Sequence, residues 1–293
     1  MKIINFGSIN IDHVYNVPHF VRAGETLAST SYRTFVGGKG LNQSVALAKA
    51  GATVIHAGKI GSDGRWLLSE LTRAGVDIAG VLEGDVSTGH AIIQISPNGE
   101  NCILLFGGAN QTIESNDIDR TIARAERGDI ILLQNEINNV EEIIKKSHNK
   151  GLQVALNPAP FDKSIKSLPL NLVRYLILNE TEGAELTGES VPSNIVEHLA
   201  RNFPDCAVVL TLGADGVIYR DKNDSITLTA EKVAAIDTTA AGDTFIGYFL
   251  SSLTSSSNVR DALTIANKAA GICVTRKGAA VSIPTRREVE SAT

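Results

Sequence analysis

Residues 128–160, GDIILLQNEINNVEEIIKKSHNKGLQVALNPAP, read as one strand–helix–strand unit. GDIILLQNE is a short apolar strand with polar residues at its C-terminal end. VEEIIKKSHNKG places its apolar residues at helical spacing and stops at Gly151, a residue suited to the turn that ends a helix. LQVALNPAP is a second apolar strand that runs out in Asn and Pro. The alternation continues downstream. VRYLILNETEGAELTG reads as strand then helix, and AVVLTLGADGVIY as strand, glycine turn, strand. Strands that are apolar throughout are buried on both faces, so the pattern predicts a mostly parallel sheet covered by helices on either side. Ligands bind such sheets at the carboxyl ends of the strands. Glu136, Asn157, Asn179, Glu182 and Thr211 each follow an apolar run, and this geometry gathers them along one edge.

The first third of the chain has another style. KIINFG reads as a buried strand ending in glycine, whereas ASTSYRTFVGG suits an exposed one. HAIIQISPNGENCILLF is a hairpin, two β-rich runs joined at Pro97, Asn98 and Gly99 with its Asn-Gly turn signal. The extended, partly exposed strands predict a small sheet standing apart from the main core.

Composition bounds the function. The 293 residues suffice for a large core, and 43% hydrophobic with 20% charged residues is ordinary for a globular protein. A net charge of −5 gives no basic field for nucleic acid or an anionic membrane. Cys102, Cys206 and Cys273 are scattered and fit neither a disulfide framework nor zinc spacing. No secretory leader or membrane span is visible, so a cytoplasmic location is expected. Several signatures fail. GGKGLNQ lacks the Ser or Thr that a P-loop needs after its lysine, having Gly40 there. No dinucleotide fingerprint, HExxH helix or GxSxG elbow is present.

Four segments carry chemistry. In GSINIDHVYNV, Asn10 and Asp12 lie two apart, on one face of a strand, where an acid and an amide can hold vicinal hydroxyls; a solvent-facing strand is the plainer alternative. In FVGGKGLNQSVALAKAG, three glycines precede a helix, Lys39 supplies positive charge and Asn42 sits in the first turn. The free N–H groups of a helix start favour anions and hydroxyls, though a glycine-rich turn with a surface lysine explains the segment equally well. Asn179 and Glu182 in LNETEGAELTG share a helix face and can hold the water shell of Mg²⁺, or simply cap their helix. In AIDTTAAGDTFIGYFLSSL a helix begins near Gly242, with Phe245, Phe249, Leu250 and Leu253 on one face. Small side chains there leave room for a phosphoryl group against the helix amides. Asp243 then stands where it can accept a proton from an attacking hydroxyl, or is an ordinary first-turn residue.

With these segments in hand, the chain resembles the pfkB-type carbohydrate kinases nearly end to end. GSINID, GGKGLNQSVA, STGHAII, GGAN, LNPAP, LNETEGAELTG, TLGADGV, DTTAAGDTFIG and VTRKGAAVSIP occur in that family's order. The resemblance implies a single α/β domain over residues 1–293 with three layers, a mostly parallel central sheet and a small β-sheet lid from about 10–36 and 89–107. It implies phosphorylation of a sugar hydroxyl by ATP with Mg²⁺. Asp243 would be the base, and the amides of Ala240, Ala241 and Gly242 the anion hole. Asn10, Asp12, Gly38, Lys39, Asn42 and Glu136 would hold the sugar. Asn179, Thr211, Gly213, Gly216 and Asn267 would line the nucleotide site, with Glu182 acting on Mg²⁺ through water. An activating K⁺ would sit among Asp237, Thr239, Cys273, Arg276, Gly278 and Ser282. The lid would pair two copies into a homodimer. Ribose, phosphorylated at its 5-hydroxyl, is the first choice of sugar. Deoxyribose, a ketohexose or a nucleoside is the rival, and a catalytically silent sugar sensor the non-enzymatic alternative.

Overall fold

The computed structural model describes residues 1–255 and 258–292. In chain order its strands are β1 (Ile3–Phe6), β2 (Asn10–Asn16), β3 (Ser31–Gly37), β4 (Val54–Ile60), β5 (Asp77–Glu83), β6 (Gly89–Ile95) and β7 (Asn101–Phe106). There follow β8 (Ile130–Gln134), β9 (Gln153–Asn157), β10 (Tyr175–Asn179), β11 (Ala207–Thr211), β12 (Val217–Arg220) and β13 (Ser225–Leu228). The helices are α1 (Lys39–Lys49), α2 (Leu68–Arg73), α3 (Ser115–Ala123), α4 (Val140–Asn149), α5 (Glu180–Thr187), α6 (Pro192–Asn202), α7 (Ala241–Ser255), α8 (Val259–Val274) and α9 (Arg286–Ser291).

Nine strands form the main sheet in the order β13-β12-β11-β10-β9-β8-β1-β4-β5. From β11 to β5 all neighbours are parallel, and β12 and β13 add an antiparallel edge. Parallel neighbours need crossovers, and the helices supply them, covering both faces. Alternation along the strands divides the core. Ile3, Leu132, Ile177 and Val209 join Leu41 of α1 and Phe245 and Phe249 of α7 on one face. Ile4, Leu133, Leu178 and Leu210 join Ile143 and Ile144 of α4 and Ile195 of α6 on the other. This is the expected three-layer α/β architecture. Residues 128–160 are β8–α4–β9, and the unbroken apolarity of IILLQ reflects burial along its whole length.

The second sheet has four strands, β3-β2-β6-β7, built from the segments expected to stand apart. β2 pairs antiparallel with β3 and parallel with β6, so Asp12 lies between Phe35 and Ala91. One face of this sheet overhangs the carboxyl edge of the main one. Every residue of β7, at its outer edge, is exposed, including Ile103, Leu104, Leu105 and Phe106.

Candidate active site

Between the two sheets lies a cavity of about 1120 Å³. Its floor is made by strand ends and helix starts, so the local geometry of two helices decides what it can do.

α1 begins at Lys39, directly behind Gly38, whose φ of 95° is open to glycine and strained for other residues. A Cβ on Gly40 would stand 2.3 Å from Ser8 N and 2.5 Å from Gly7 Cα, so the first turn of α1 rests on the backbone that follows β1. Ser8 Oγ accepts from Gly40 N (3.2 Å) and donates to the Glu136 carboxylate, which also accepts from Lys39 N at 2.9 Å. Glu136 thus places negative charge at the positive end of α1. Burial tends to discharge Lys39, but the surrounding carboxylates of Asp243, Glu136 and Glu182 outweigh it and hold the ammonium above its ordinary value.

α7 begins at Ala241, as expected near Gly242. Ala240 before it has φ 60°, and it shares with Asn139 the distinction of a positive φ on a non-glycine residue among the described residues. Such a residue in an uncommon conformation is a signpost for function. Of the three amides expected to form an anion hole, Ala241 N is already donated to Thr238 O (3.2 Å), and Ala241 is absent from the cavity wall. Ala240, Gly242 and Asp243 do line the cavity. Their N–H groups have no protein acceptor among the described residues, the usual state of a helix start.

The Asp243 carboxylate is buried and held from α1. Gln43 Nε2 donates to Oδ1 at 2.9 Å and Asn42 Nδ2 to Oδ2 at 3.3 Å. Asn42 Oδ1 is buried with no protein partner, an open acceptor on a residue that lines the cavity. The two helices meet one turn further along each. A Cβ on Gly247 would lie 2.4 Å from Ala46 Cβ and 2.7 Å from Leu47 N, so α1 and α7 touch backbone to backbone.

The small sheet forms the opposite wall. Asn10 and Asp12 face the cavity together, as the period of two requires. Asn110 Nδ2 donates to Asn10 Oδ1 at 2.7 Å, which fixes that amide's orientation. A Cβ on Gly37 would meet Asp12 Oδ1 at 2.1 Å, so the strand beside it closes over the carboxylate. Burial, and then the charge of Glu136, push Asp12 up to about 7.

Asn179, Glu182 and Thr211 also line the cavity. Asn179 and Glu182 form the capping box of α5: Glu182 N donates to Asn179 Oδ1 (2.9 Å), and Asn179 N to Glu182 Oε2 (3.0 Å). Burial raises Glu182 above the usual carboxylate range despite these bonds and Lys39. Gly213 and Gly216, with φ 54° and 109°, make the turn between β11 and β12, and Asn267 lies in α8. None of these three lines the cavity.

Loops 237–239 and 276–282 come together beside the start of α7. Asp237 accepts from Thr239 N and Gly278 N, each at 2.9 Å. Burial would raise this carboxyl, but those hydrogen bonds prevail and hold it below its ordinary value. Cys273 Sγ lies 3.1 Å from Ser282 Oγ and 3.8 Å from Thr239 O. The Arg276 side chain turns instead to Glu288 (2.7 Å). Among the described residues, no group of three or more His, Cys, Asp or Glu is placed to hold a metal ion. Ser8, Gln43, Asn110 and Gln134 are among the buried polar residues to which the sequence attached no role, although Ser8, Gln43 and Asn110 fall inside quoted motifs.

Comparison with known proteins gives the family and the fold. The pfkB family carbohydrate kinase profile matches residues 1–286. The chain is 39% identical to a ribokinase of Haemophilus influenzae over 96% of its own length and 95% of the relative's. A ribokinase structure from Thermotoga maritima superposes with a TM-score of 0.89 at 33% identity, covering 99% of this chain and 98% of the other. An Arabidopsis thaliana ribokinase, solved with ribose and ATP, superposes with a TM-score of 0.88 at 28% identity, covering 99% and 97%.

Proposed function

Because the chain belongs to the pfkB family of carbohydrate kinases, we propose that it transfers the γ-phosphoryl group of ATP to the 5-hydroxyl of ribose. The observation that carries the mechanism is the placement of Asp243. Its buried carboxylate sits at a helix start whose neighbouring N–H groups are unspent, in a cavity wide enough for two substrates. In this reading Asp243 takes the proton from the sugar hydroxyl as that oxygen bonds to the γ-phosphorus. The bond from phosphorus to the bridging oxygen breaks, ADP leaves with that electron pair, and the proton passes from Asp243 to solvent. The amides of Ala240, Gly242 and Asp243 face the charge on the moving phosphoryl group.

Asn10, Asp12, Asn42 and Lys39 are the sugar contacts of this reading, supported by their common cavity wall and the open Asn42 acceptor. Asn179 and Thr211 lie on the nucleotide side of the same cavity, and Gly213 and Gly216 shape the turn that follows Thr211. Glu182 has one oxygen on the Asn179 amide and leaves the other, which suits a Mg²⁺ that keeps most of its water shell. Mg²⁺ supplies charge neutralisation at the phosphate oxygens when bound. The oxygen-rich pairing of loops 237–239 and 276–282 suits K⁺. Three free cysteines fit a reducing cytoplasm. Consumption of ATP against a panel of pentoses, hexoses and nucleosides, with and without K⁺, tests the assignment. Turnover on a nucleoside and none on ribose would displace it.

Asp12 makes the sugar site sensitive to pH. Its value of about 7 lies above the ordinary 3.8, so between these the folded protein holds a proton that the unfolded chain has released, and this group's contribution to stability falls as pH rises through that window. Sugar hydroxyls donating to Asp12 favour the carboxylate, so affinity rises with pH up to about 7 and then levels. KM for ribose is expected to be about tenfold higher at pH 6 than at pH 8, and Asp12→Asn to flatten the dependence. A KM constant across that range would remove Asp12 from the sugar site.

The apolar face of the small sheet, with Val14, Phe35, Ile93, Ile103 and Leu105, is the proposed homodimer contact, since exposed edges and apolar patches of this kind are normally covered. Sedimentation is expected to give twice the 31.1 kDa chain mass, and Ile103→Glu to give the single mass. A monomeric parent at micromolar concentration would contradict this.

A further inference from the structure

We propose that Gln43 is the positioning residue of the base, and that the order of donors and acceptors holding it is dictated by two backbone carbonyls. Resting on the reading of Asp243 as proton acceptor, the role of Gln43 comes from a buried chain of side chains of which only Asn157, at its far end, lines the cavity. At one end His56 Nε2 meets Gly7 O at 3.2 Å. Burial pushes His56 down to about 4, so the ring is neutral, and a carbonyl can only accept, so Nε2 carries the proton. Nδ1 is therefore an acceptor, and Ser44 Oγ donates to it at 2.8 Å. Ser44 then accepts from Asn5 Nδ2 (2.9 Å), whose other N–H goes to Gly40 O (2.8 Å). Asn5 Oδ1 accepts from Gln134 Nε2 (2.9 Å), and that same nitrogen donates to Gln43 Oε1 at 2.6 Å. With its oxygen occupied, Gln43 must turn Nε2 toward Asp243 Oδ1 (2.9 Å) and Asn157 Oδ1 (3.1 Å). The other end is closed by Asn157 Nδ2, which donates to Ile177 O at 3.0 Å and so keeps Asn157 Oδ1 toward Gln43.

A reversed Gln43 would set its oxygen against both a carboxylate and an amide oxygen. The arrangement has one loose end, Gln134 Oε1, buried without a partner beside Gly7. Asn5, Gln43, Ser44, His56 and Gln134 are all fully buried, so no solvent competes for their bonds. The chain thereby holds one Asp243 oxygen in a fixed direction through a charge-assisted hydrogen bond. Lys39 from α1, Glu136 from the segment after β8 and Glu182 from α5 also act on Asp243, and all three stay unchanged in the variants below.

Two variants test this by steady-state kinetics with ribose and ATP. Gln43→Met keeps the shape and removes the donor. kcat is expected to fall about tenfold to a hundredfold, the range for losing a hydrogen bond to a charged group, with KM for ribose within about twofold. The acid limb of the kcat profile moves to higher pH. Gln134→Met leaves Gln43 and the cavity intact but takes away the donor to Gln43 Oε1, which frees the Gln43 amide to turn. It is expected to move the acid limb the same way, although Gln134 reaches neither substrate. An acid limb that stays in place in the folded variants, whether kcat holds or falls with thermal stability, overturns the proposal. Should Asp243→Asn keep normal turnover, the assignment of the base fails instead, so the two failures are separable.

Discussion

Asp243→Asn is expected to lower kcat for sugar phosphorylation by roughly 10²–10⁴-fold, the range that a positioned general base supplies, while the protein stays folded and binds sugar. The substitution preserves volume. Its amide oxygen can take the Gln43 Nε2 bond that Asp243 Oδ1 now accepts. Its new NH₂ group then faces Asn42, whose Oδ1 is buried and unpartnered and becomes the natural acceptor once that amide turns. The sugar contacts on β2 are untouched. Calorimetric titration with ribose and coupled-assay kinetics on the same preparation separate binding from turnover. Near-normal kcat would remove Asp243 from the mechanism; a variant that had lost both sugar affinity and thermal stability would show that its role is structural.

Gly247→Ala and Gly271→Ala, the same chemical change on neighbouring helices, are expected to have opposite signs. At Gly247 the added methyl group meets Ala46 Cβ at 2.4 Å and backbone atoms of Ala46 and Leu47 at 2.7 Å. Backbone cannot rotate away, so α1 and α7 must separate. Overpacking of this kind costs about 1–3 kcal/mol, sometimes more, and lowers Tm by about 2–4 °C for each kcal/mol in a chain of this order. Separation also draws Asn42 and Gln43 off Asp243, so kcat falls with Tm. At Gly271, inside α8, an added Cβ meets nothing within 4 Å. There the gain in helix propensity stabilises by roughly 0.5–1 kcal/mol. Differential scanning calorimetry of the two variants decides the matter; equal shifts would mean that the contact at Gly247 is not the constraint described.

The architecture was open to reading because each of its signals is local. Buried strands announce themselves by unbroken apolarity, α4 by its 3.6-residue spacing, and the β6–β7 hairpin by Asn98-Gly99. Helix α7 starts at Ala241, where the small residues and Asp243 pointed. What eluded the sequence is what depends on pairs far apart. Asn5 looks like a flaw in an apolar strand until Gln134, 129 residues later, is found bonded to it. Gln43 stands in a quoted motif, yet its partner Gln134 is 91 residues distant and Asp243 is 200. Asp12 had a solvent-facing strand as its plainer alternative, because nothing local reveals that Glu136 and Gly37 close around it. The loss of the Ala241 amide to Thr238 follows from the backbone turn at Ala240, φ 60°, which composition does not disclose.

The meeting of α1 with α7 also bears on how the protein is made. Asn42 and Asp243 are separated by 201 positions, and neither has its partner until both are free of the ribosome. A nascent chain can assemble most of its strands while the reactive centre still lacks one half. Catalysis therefore begins only late in synthesis, and premature termination anywhere before α7 yields an inert product.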